Sequence, residues 1–244
     1  MTPGLLTLDR GNSCLDAMCH SEPPRRQRLD HDDVRAAFAL ASKPTRVIGL
    51  TVVPGGLDAC AAFALEAGVA LELAGSELEC PLQLAYPDPS QLGVDRWVGA
   101  VAARERYGTA VVVDCGTALT VNLVTADGVF HGGAIAPGPY TMAHALADYA
   151  PALPMVDLQA AAELPATDSL TAVNAGVGLG FCGMVDALVS ACVRAVGVED
   201  ATFVLTGGGA RVYERFGTRP YQLEPDLIHQ GLRWLALGPR PANS

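Results

Sequence analysis

The chain contains one pattern twice, first as Leu5-Leu6-Thr7-Leu8-Asp9-Arg10-Gly11-Asn12-Ser13 and again as Val111-Val112-Val113-Asp114-Cys115-Gly116-Thr117-Ala118. Each copy is an apolar strand that ends in Asp-x-Gly and is followed by small polar residues and a second apolar run. Self-similarity on this scale indicates two related halves and says more than a single motif. Elsewhere, apolar strands alternate with helical segments, which predicts an α/β fold with mainly parallel sheets.

The two Asp-x-Gly turns have the composition of a phosphate site. Backbone N–H groups in a glycine turn can approach phosphate oxygens closely because glycine has no Cβ. A hydroxyl such as Ser13 or Thr117 adds a donor, and an aspartate can hold a cation that neutralises phosphate. Asp9 and Asp114 are therefore candidates for phosphoryl transfer, although each turn by itself is also compatible with an ordinary strand connection.

Two glycine-rich segments need separate interpretations. Gly207-Gly208 follows a predicted strand at Thr202–Thr206 and is a candidate for close contact with a nucleotide, or is a plain strand-to-helix turn. Gly178-Leu-Gly180-Phe-Cys-Gly183 fits the dinucleotide fingerprint, but it lies inside a predicted long helix instead of between a strand and a helix. Close helix packing through small residues explains this second segment better.

Asp95 and Arg96 lie where loop residues give way to a predicted helix. An aspartate there can take a proton from a substrate hydroxyl, and the neighbouring arginine can bind an anionic group of the same substrate. Tyr86, upstream in the loop, is a candidate for lining that pocket or for packing. A helix N-terminal aspartate beside an ordinary arginine explains the pair equally well, so the residues alone leave both interpretations open.

Composition narrows the class of protein. The 244 residues are 50% hydrophobic with a formal net charge of −10, so a core is expected and nucleic acid is not expected as a partner. The basic cluster Arg25, Arg26 and Arg28 is predicted to be a solvated loop.

We expect no membrane partner, because the apolar stretches are broken before the roughly 18 residues that a span needs. The 7 cysteines contain no C-x-x-C pair, which predicts reduced thiols in the cytoplasm.

Further segments follow in a specific order: Val52-Val53-Pro54, Leu92-Gly93-Val94-Asp95-Arg96-Trp97, Thr120 after the second turn, Gly132-Gly133-x-Ile135-x-Pro137-Gly138, Leu153-Pro154 and Thr206-Gly207-Gly208. Together with the two turns, they resemble the type III pantothenate kinases, a family that includes proteins known as Bvg accessory factors. The resemblance covers nearly the whole chain. It implies the fold of the acetate/sugar kinase–Hsp70–actin superfamily, with two ribonuclease-H-like halves, which we assign to residues 1–108 and 109–244.

The resemblance also implies a reaction and its residues. The activity would be ATP-dependent phosphorylation of pantothenate to 4′-phosphopantothenate in coenzyme A biosynthesis, with Asp95 as proton acceptor. The expected pantothenate contacts are Tyr86, Gly93, Val94, Asp95, Arg96 and Ser169. The expected ATP contacts are Asp9, Arg10, Gly11, Asn12, Ser13, Cys14, Leu15, Asp16, Thr117, Gly207 and Gly208. Asp9 would hold Mg²⁺ through the phosphates, Asp114 would bind K⁺ or NH₄⁺, and the enzyme would be a homodimer.

Three positions depart from the family pattern. Arg10 places a charge in the first turn, Asp16 stands where many members have lysine, and Ser169 replaces a threonine while keeping its hydroxyl. The alternative to an enzyme is a non-catalytic accessory or regulatory relative with the same fold. Retention of Asp9, Asp95, Asp114 and Thr117 favours the kinase.

Overall fold

The structure is a computed structural model that describes residues 4–160 and 163–238. In chain order the strands are β1 (Leu5–Arg10), β2 (Leu15–Cys19), β3 (Arg25–Leu29), β4 (Arg46–Thr51), β5 (Leu71–Leu73), β6 (Gln83–Leu84), β7 (Ala110–Cys115), β8 (Ala118–Val124), β9 (Val129–Pro137), β10 (Thr202–Thr206) and β11 (Gln222–Leu223). The helices are α1 (Val34–Ala39), α2 (Asp58–Glu66), α3 (Val94–Tyr107), α4 (Pro139–Tyr149), α5 (Ser169–Val196), α6 (Ala210–Phe216) and α7 (Leu227–Leu237), with a short 3-10 turn at Pro89–Gln91.

The chain forms two compact units. The first contains the residues up to Arg106 and those from Asp226 onward, and the second is Tyr107–Pro225. The C-terminal helix therefore belongs to the first unit, whereas the division made from the sequence placed it in the second half. The reason is packing: α7 lies against β1 and β4, and its Gly231 approaches the backbone of Val98 in α3 so closely that a Cβ would collide.

The sheets of the two units have the same plan. In the first unit, the strand order is β3-β2-β1-β4-β5, and in the second unit β9, β8, β7, β10 and β11 follow one another in the same way. In each, the first three strands of the unit are antiparallel and the later ones pair in parallel. The expectation of mainly parallel sheets is thus wrong in part, because each Asp-x-Gly turn closes a tight antiparallel connection. The predicted α/β class is confirmed.

Apolar strand faces form a separate core in each unit. In the first, Leu6, Leu8 and Leu15 pack on α1 and α2, and α7 covers β1 and β4. In the second, α5 brings Phe181 and Val185 onto the sheet, both at 0% exposure. Burial on this scale contributes about 25 cal/mol per Å² of apolar surface, which makes these helix–sheet faces the main source of stability in each unit.

The basic cluster is a strand and not the solvated loop expected from the sequence. Arg25, Arg26 and Arg28 lie on β3, at the edge of the first sheet. Their residue types are unusual for a strand, so the local sequence pattern did not indicate one here. The strand forms because β2 provides its ladder and because Arg26 has a buried carboxylate partner there, Asp16.

Helix α5 shapes the second unit. It begins after Asp168, whose Oδ1 accepts the amide of Thr171 at 2.9 Å, and it ends at Gly197 in the left-handed conformation. It is long and apolar enough to cross a membrane, so the expectation that no stretch reaches that length was wrong. Its glycines do not break the apolar stretch, because they lie within one continuous helix. Its packing on α4, α6 and the sheet makes it the core helix of this unit.

Candidate active site

Asp95 lies in the first turn of α3, with its carboxylate folded over the helix end. Its Oδ1 accepts the amide of Arg96 at 2.9 Å. A Cβ on Gly93 would lie 2.7 Å from the same oxygen, so the glycine gives the carboxylate its position. Burial raises the pKa of Asp95, against the opposing effects of the amide hydrogen bond and the charge of Arg96. A half-buried carboxylate with raised basicity is suited to accept a proton.

Arg96 and Tyr86 lie beside this carboxylate. The Arg96 side chain is buried, at 8% exposure, and its Nη1 donates to the Tyr86 hydroxyl at 3.0 Å. The planar guanidinium is therefore fixed in direction by a neighbour. Val94 also contributes, since its Cγ2 lies 3.4 Å from where a Cβ of Gly75 would be, on a turn that requires a positive φ. The predicted substrate residues Tyr86, Gly93, Val94, Asp95 and Arg96 thus come together at one helix end.

The first Asp-x-Gly turn connects β1 to β2. Asp9 is half-buried and pairs across the strands with Asp16, so both side chains point to one face of the sheet. At Gly11 a Cβ would meet nothing within 4 Å, and its φ is not positive, so packing does not explain the glycine. Open space beside a backbone amide is what close approach of a phosphate requires.

Arg10 does not project freely from this turn. Its Nη1 donates to the carbonyl of Gly11, and its Cγ lies 3.0 Å from where a Cβ of Gly56 would be. Its own carbonyl accepts from the Thr51 hydroxyl at 3.2 Å. The Arg10 side chain, whose charge departs from the family pattern, is thus folded along the turn.

Asp16 belongs to a buried ion-pair network. Arg26 binds both of its carboxylate oxygens, at 2.9 and 2.6 Å, and also reaches Asp226 at 2.7 Å. Burial alone would raise the pKa of Asp16, but the hydrogen bonds from Arg26 and His229 hold it well below its usual range. Asp16 is therefore an anion whose charge is already neutralised by its neighbours.

The network continues into the sheet through His229. Its Nε2 lies 3.1 Å from Oδ1 of Asp16, and its Nδ1 lies 2.9 Å from the Thr7 hydroxyl, which also meets Nε2 of His20 at 3.0 Å. A neutral ring that donates from Nε2 to the carboxylate can accept the Thr7 proton at Nδ1. The chain from His20 to Asp16 ties β1 and β2 to α7.

In the second unit, the Asp-x-Gly turn at Asp114 packs against two further turns, at Gly138 and at Gly207. Gly207, at φ +87°, would collide with Oδ1 of Asp114 and the backbone of Cys115 if it carried a Cβ. The amide of Gly209 donates to the Cys115 carbonyl at 2.7 Å. A Cβ on Gly138 would collide with the carbonyl of Gly116. Asp114 and Gly207, predicted separately, are therefore in contact, and glycine is the residue that allows this.

Thr117 lies at the exposed tip of the second turn. Its carbonyl accepts from the amide of Gly138 at 3.0 Å and from the hydroxyl of Thr141 at 2.6 Å. The support from Gly138 and Thr141 was not assigned from the sequence, although the Pro137-Gly138-Pro139 run after a strand was its signal.

The remaining predicted residues have simple positions. Asn12, Ser13 and Gly208 are exposed at the tips of their turns. Ser169 is the first residue of α5 and is exposed, directly after the capping residue Asp168. Of the fingerprint-like glycines, Gly178 packs on the ring of Phe216, at 2.7 Å for a Cβ, as expected for helix packing.

Among residues 4–160 and 163–238, no three His, Cys, Asp or Glu residues lie close enough to form a metal cluster. A cation at either turn would therefore need a carboxylate together with backbone, water or phosphate oxygens. Oxygen donors of this kind suit Mg²⁺ and alkali cations.

Comparison with known proteins gives a consistent result. Residues 5–191 match the family described as type III pantothenate kinase. A type III pantothenate kinase of Rubrobacter xylanophilus is 40% identical over 66% of this chain and 63% of its own length, so the match spans less than two thirds of that relative. One from Syntrophotalea carbinolica is 34% identical over 86% of this chain and 82% of its own.

Solved structures give the fold. A Campylobacter jejuni protein described as a Baf family transcriptional activator matches with a TM-score of 0.65 at 18% identity, covering 94% of this chain and 96% of that one. A Sinorhizobium meliloti protein described as a 2-dehydro-3-deoxygalactonokinase matches at 0.54 with 14% identity, covering 95% and 98%. At such identities the likeness concerns the fold alone. It confirms the predicted fold.

Proposed function

Because this chain belongs to the type III pantothenate kinase family, we propose that it transfers the γ-phosphoryl group of ATP to pantothenate. The products are 4′-phosphopantothenate and ADP, in the first step of coenzyme A biosynthesis. The observation that carries the proposal is the grouping of Asp95, Arg96 and Tyr86 at the start of α3, where burial raises the pKa of the Asp95 carboxyl group.

Asp95 acts as general base. It takes the proton of the substrate hydroxyl as the hydroxyl oxygen bonds to the γ-phosphorus, and the bond from that phosphorus to the bridging oxygen of ADP breaks. Arg96 binds an anionic group of pantothenate, since its guanidinium is held in direction by the Tyr86 hydroxyl. Gly93, Val94 and Ser169 complete the proposed pantothenate contacts.

The residues of the first turn, from Asp9 to Asp16, contact the ATP phosphates in this proposal, as do Thr117, Gly207 and Gly208. Asp9 fits a role with Mg²⁺ because it is a half-buried carboxylate next to the open side of Gly11. Bound Mg²⁺ would neutralise phosphate charge. Within this scheme, Asp16 supports the turn through its ion pairs more than it meets phosphate directly.

Asp114 is proposed as the ligand of a monovalent cation, K⁺ or NH₄⁺. Its carboxylate is half-buried, and Gly207 leaves its Oδ1 the space that a side chain would fill. A single carboxylate among backbone carbonyls is a donor set of low charge, which suits a monovalent ion better than a divalent one.

We propose a homodimer in the cytoplasm. One face of α5 carries the exposed residues Gly176, Gly180, Gly183 and Ala187, a row of small residues at helical spacing that permits close approach of a second helix. All seven cysteines are free, which fits a reducing compartment.

The direct test is ADP release by the full chain with ATP, pantothenate and Mg²⁺, in K⁺ and in Na⁺. We expect turnover that depends on pantothenate and is faster in K⁺, with the dependence on K⁺ lost in Asp114→Asn. Nucleotide binding without turnover would instead support the accessory alternative. Turnover that is equal in both salts would remove the assignment of Asp114.

A further inference from the structure

The edge strand β3 carries an arginine that the proposed mechanism does not use. Arg28 lies directly opposite Asp16, which in turn lies directly opposite Asp9. Directly opposed residues in antiparallel strands place their side chains on one face of the sheet. Asp9, Asp16 and Arg28 therefore form one row across three strands, at the end of the sheet that carries the first Asp-x-Gly turn.

The charged side chains in this row differ in how closely they are paired with opposite charges. Asp16 is 2% exposed and already binds Arg26 through both oxygens. Arg28 reaches Asp16 only through Nε, at 3.7 Å, and its side chain is 59% exposed. Among the described residues, Arg28 forms this one long ion pair. Most of its five N–H donors therefore face solvent.

Arg28 is also close to the turn itself. The pKa of the Cys14 thiol is raised by burial, and the charge of Arg28 is the largest electrostatic effect opposing that rise, with Arg10 a smaller one. Cys14 is the last residue before β2. Together with the pairing of Arg28 opposite Asp16, this places Arg28 near the end of the turn that leads into β2.

We propose that Arg28 binds a phosphate group of the nucleotide and supplies positive charge at the end of this turn. The inference rests on the proposed function for the identity of the nucleotide. Asp16 then has a positioning role: it holds Arg26 firmly and Arg28 loosely, so that Arg28 can turn its donors to a polyphosphate. Arginine is well suited to this because its planar fork binds phosphate oxygens in pairs.

A competing explanation is that the arginines protect the edge of the sheet. Charged side chains on an edge strand prevent pairing with a second molecule. Arg25 separates the two explanations, because it lies on the same strand but on the opposite face, where it donates to the carbonyl of Leu40. Protection of the edge would make Arg25 and Arg28 equivalent, whereas phosphate binding concerns Arg28 alone.

The experiment is titration calorimetry of ATP and of adenosine into the full-length wild type, Arg28→Gln, Arg28→Lys and Arg25→Gln. We expect Arg28→Gln to weaken ATP binding about five- to tenfold, the scale of an exposed charge-assisted hydrogen bond, and to leave adenosine binding unchanged. Arg28→Lys keeps the charge but not the planar fork, so its loss of ATP affinity should lie between those of the wild type and Arg28→Gln. Arg25→Gln should match the wild type.

Equal ATP affinity of Arg28→Gln and wild type would overturn the proposal, as would an equal loss for ATP and adenosine, which indicates general damage. Thermal melting of each variant reports folding, and Arg28→Lys keeps the test informative if Arg28→Gln unfolds. The readout does not need pantothenate. A wild type that binds ATP but does not phosphorylate pantothenate would contradict the proposed function and leave the role of Arg28 decided by its own result.

Discussion

Two opposing effects act on the pKa of the Asp95 carboxyl group. Burial makes the charged form less favourable, while the amide of Arg96 and the start of α3 favour it. The balance leaves a carboxylate that is more basic than a free aspartate. A base of this kind gains driving force for proton transfer.

Replacement of Asp95 by asparagine removes the base and keeps the shape. We expect kcat to fall about 10²–10⁴-fold, the usual contribution of general base catalysis, with little change in ATP affinity. Steady-state kinetics and ATP titration measure the two quantities. Glu105→Gln, at an exposed position of the same helix, is the matched control. A loss of less than about fivefold would contradict the assignment.

The pH dependence of kcat/KM follows from the direction of the Asp95 pKa. The reactive form is the deprotonated one, so activity should fall as pH decreases through the pKa of Asp95. Because that pKa is raised, the decline should begin above the pH at which an ordinary aspartate, with a pKa of about 3.9, would titrate. A pH–rate profile with its acidic limb at or below that value would contradict this.

At the scale of elements, the Asp16–Arg26 pair joins three strands to a helix. Arg26 belongs to β3, Asp16 to β2, and Asp226 precedes α7. Removal of the charge by Asp16→Asn leaves Arg26 and His229 without their anion. We expect a loss of about 2–3 kcal/mol in the free energy of unfolding, measured with urea, because Arg26 is partly exposed. Asp32→Asn, at an exposed position, is the control.

The same pair makes stability depend on pH. The pKa of Asp16 is lowered in the folded protein, so its contribution is complete above the unfolded pKa of about 3.9 and is lost as pH falls further through the folded value. Wild-type stability should therefore decline more steeply on acidification than that of Asp16→Asn. Parallel declines in the stability of the two proteins between about pH 4 and about pH 2, below the unfolded pKa, would contradict this role.

In the second unit, stability should be sensitive to substitution at the turn that contains Gly207. An alanine there needs a positive φ and would strike the Asp114 carboxylate. We expect Gly207→Ala to lower stability by about 1–3 kcal/mol and to abolish the stimulation by K⁺. Gly68→Ala, also at positive φ but in open space, is the control that separates backbone strain from collision. Unfolding and kinetics at several K⁺ concentrations measure both effects.

At the scale of the whole molecule, the proposed dimer can be tested through α5. Ala187→Arg places a long charged side chain on the row of small exposed residues, which should prevent close helix approach. We expect the wild type to sediment at twice the 25.3 kDa of one chain and this variant to sediment as a monomer. Ala59→Arg, on an exposed position of α2, should remain dimeric. A monomeric wild type would rule the dimer out.

Much of the molecule could be predicted because its signals are local. The strand–turn pattern at Asp9 and Asp114 predicted two related sheets, and the shared strand order agrees with that pattern. The grouping of Tyr86 with Arg96 was also expected, since only ten residues separate them. The predicted family and fold are confirmed. The individual roles of the site residues remain predictions.

The tertiary structure decided what depends on distant residues. Asp16 meets His229 across 213 positions and Arg26 meets Asp226 across 200, so nothing near either residue indicated an ion pair. The same contacts explain why a stretch of arginines forms a strand. Local periodicity and turn chemistry act over a few residues and fix the two Asp-x-Gly turns. Neutralisation of a buried charge requires a partner that only the folded chain brings within reach.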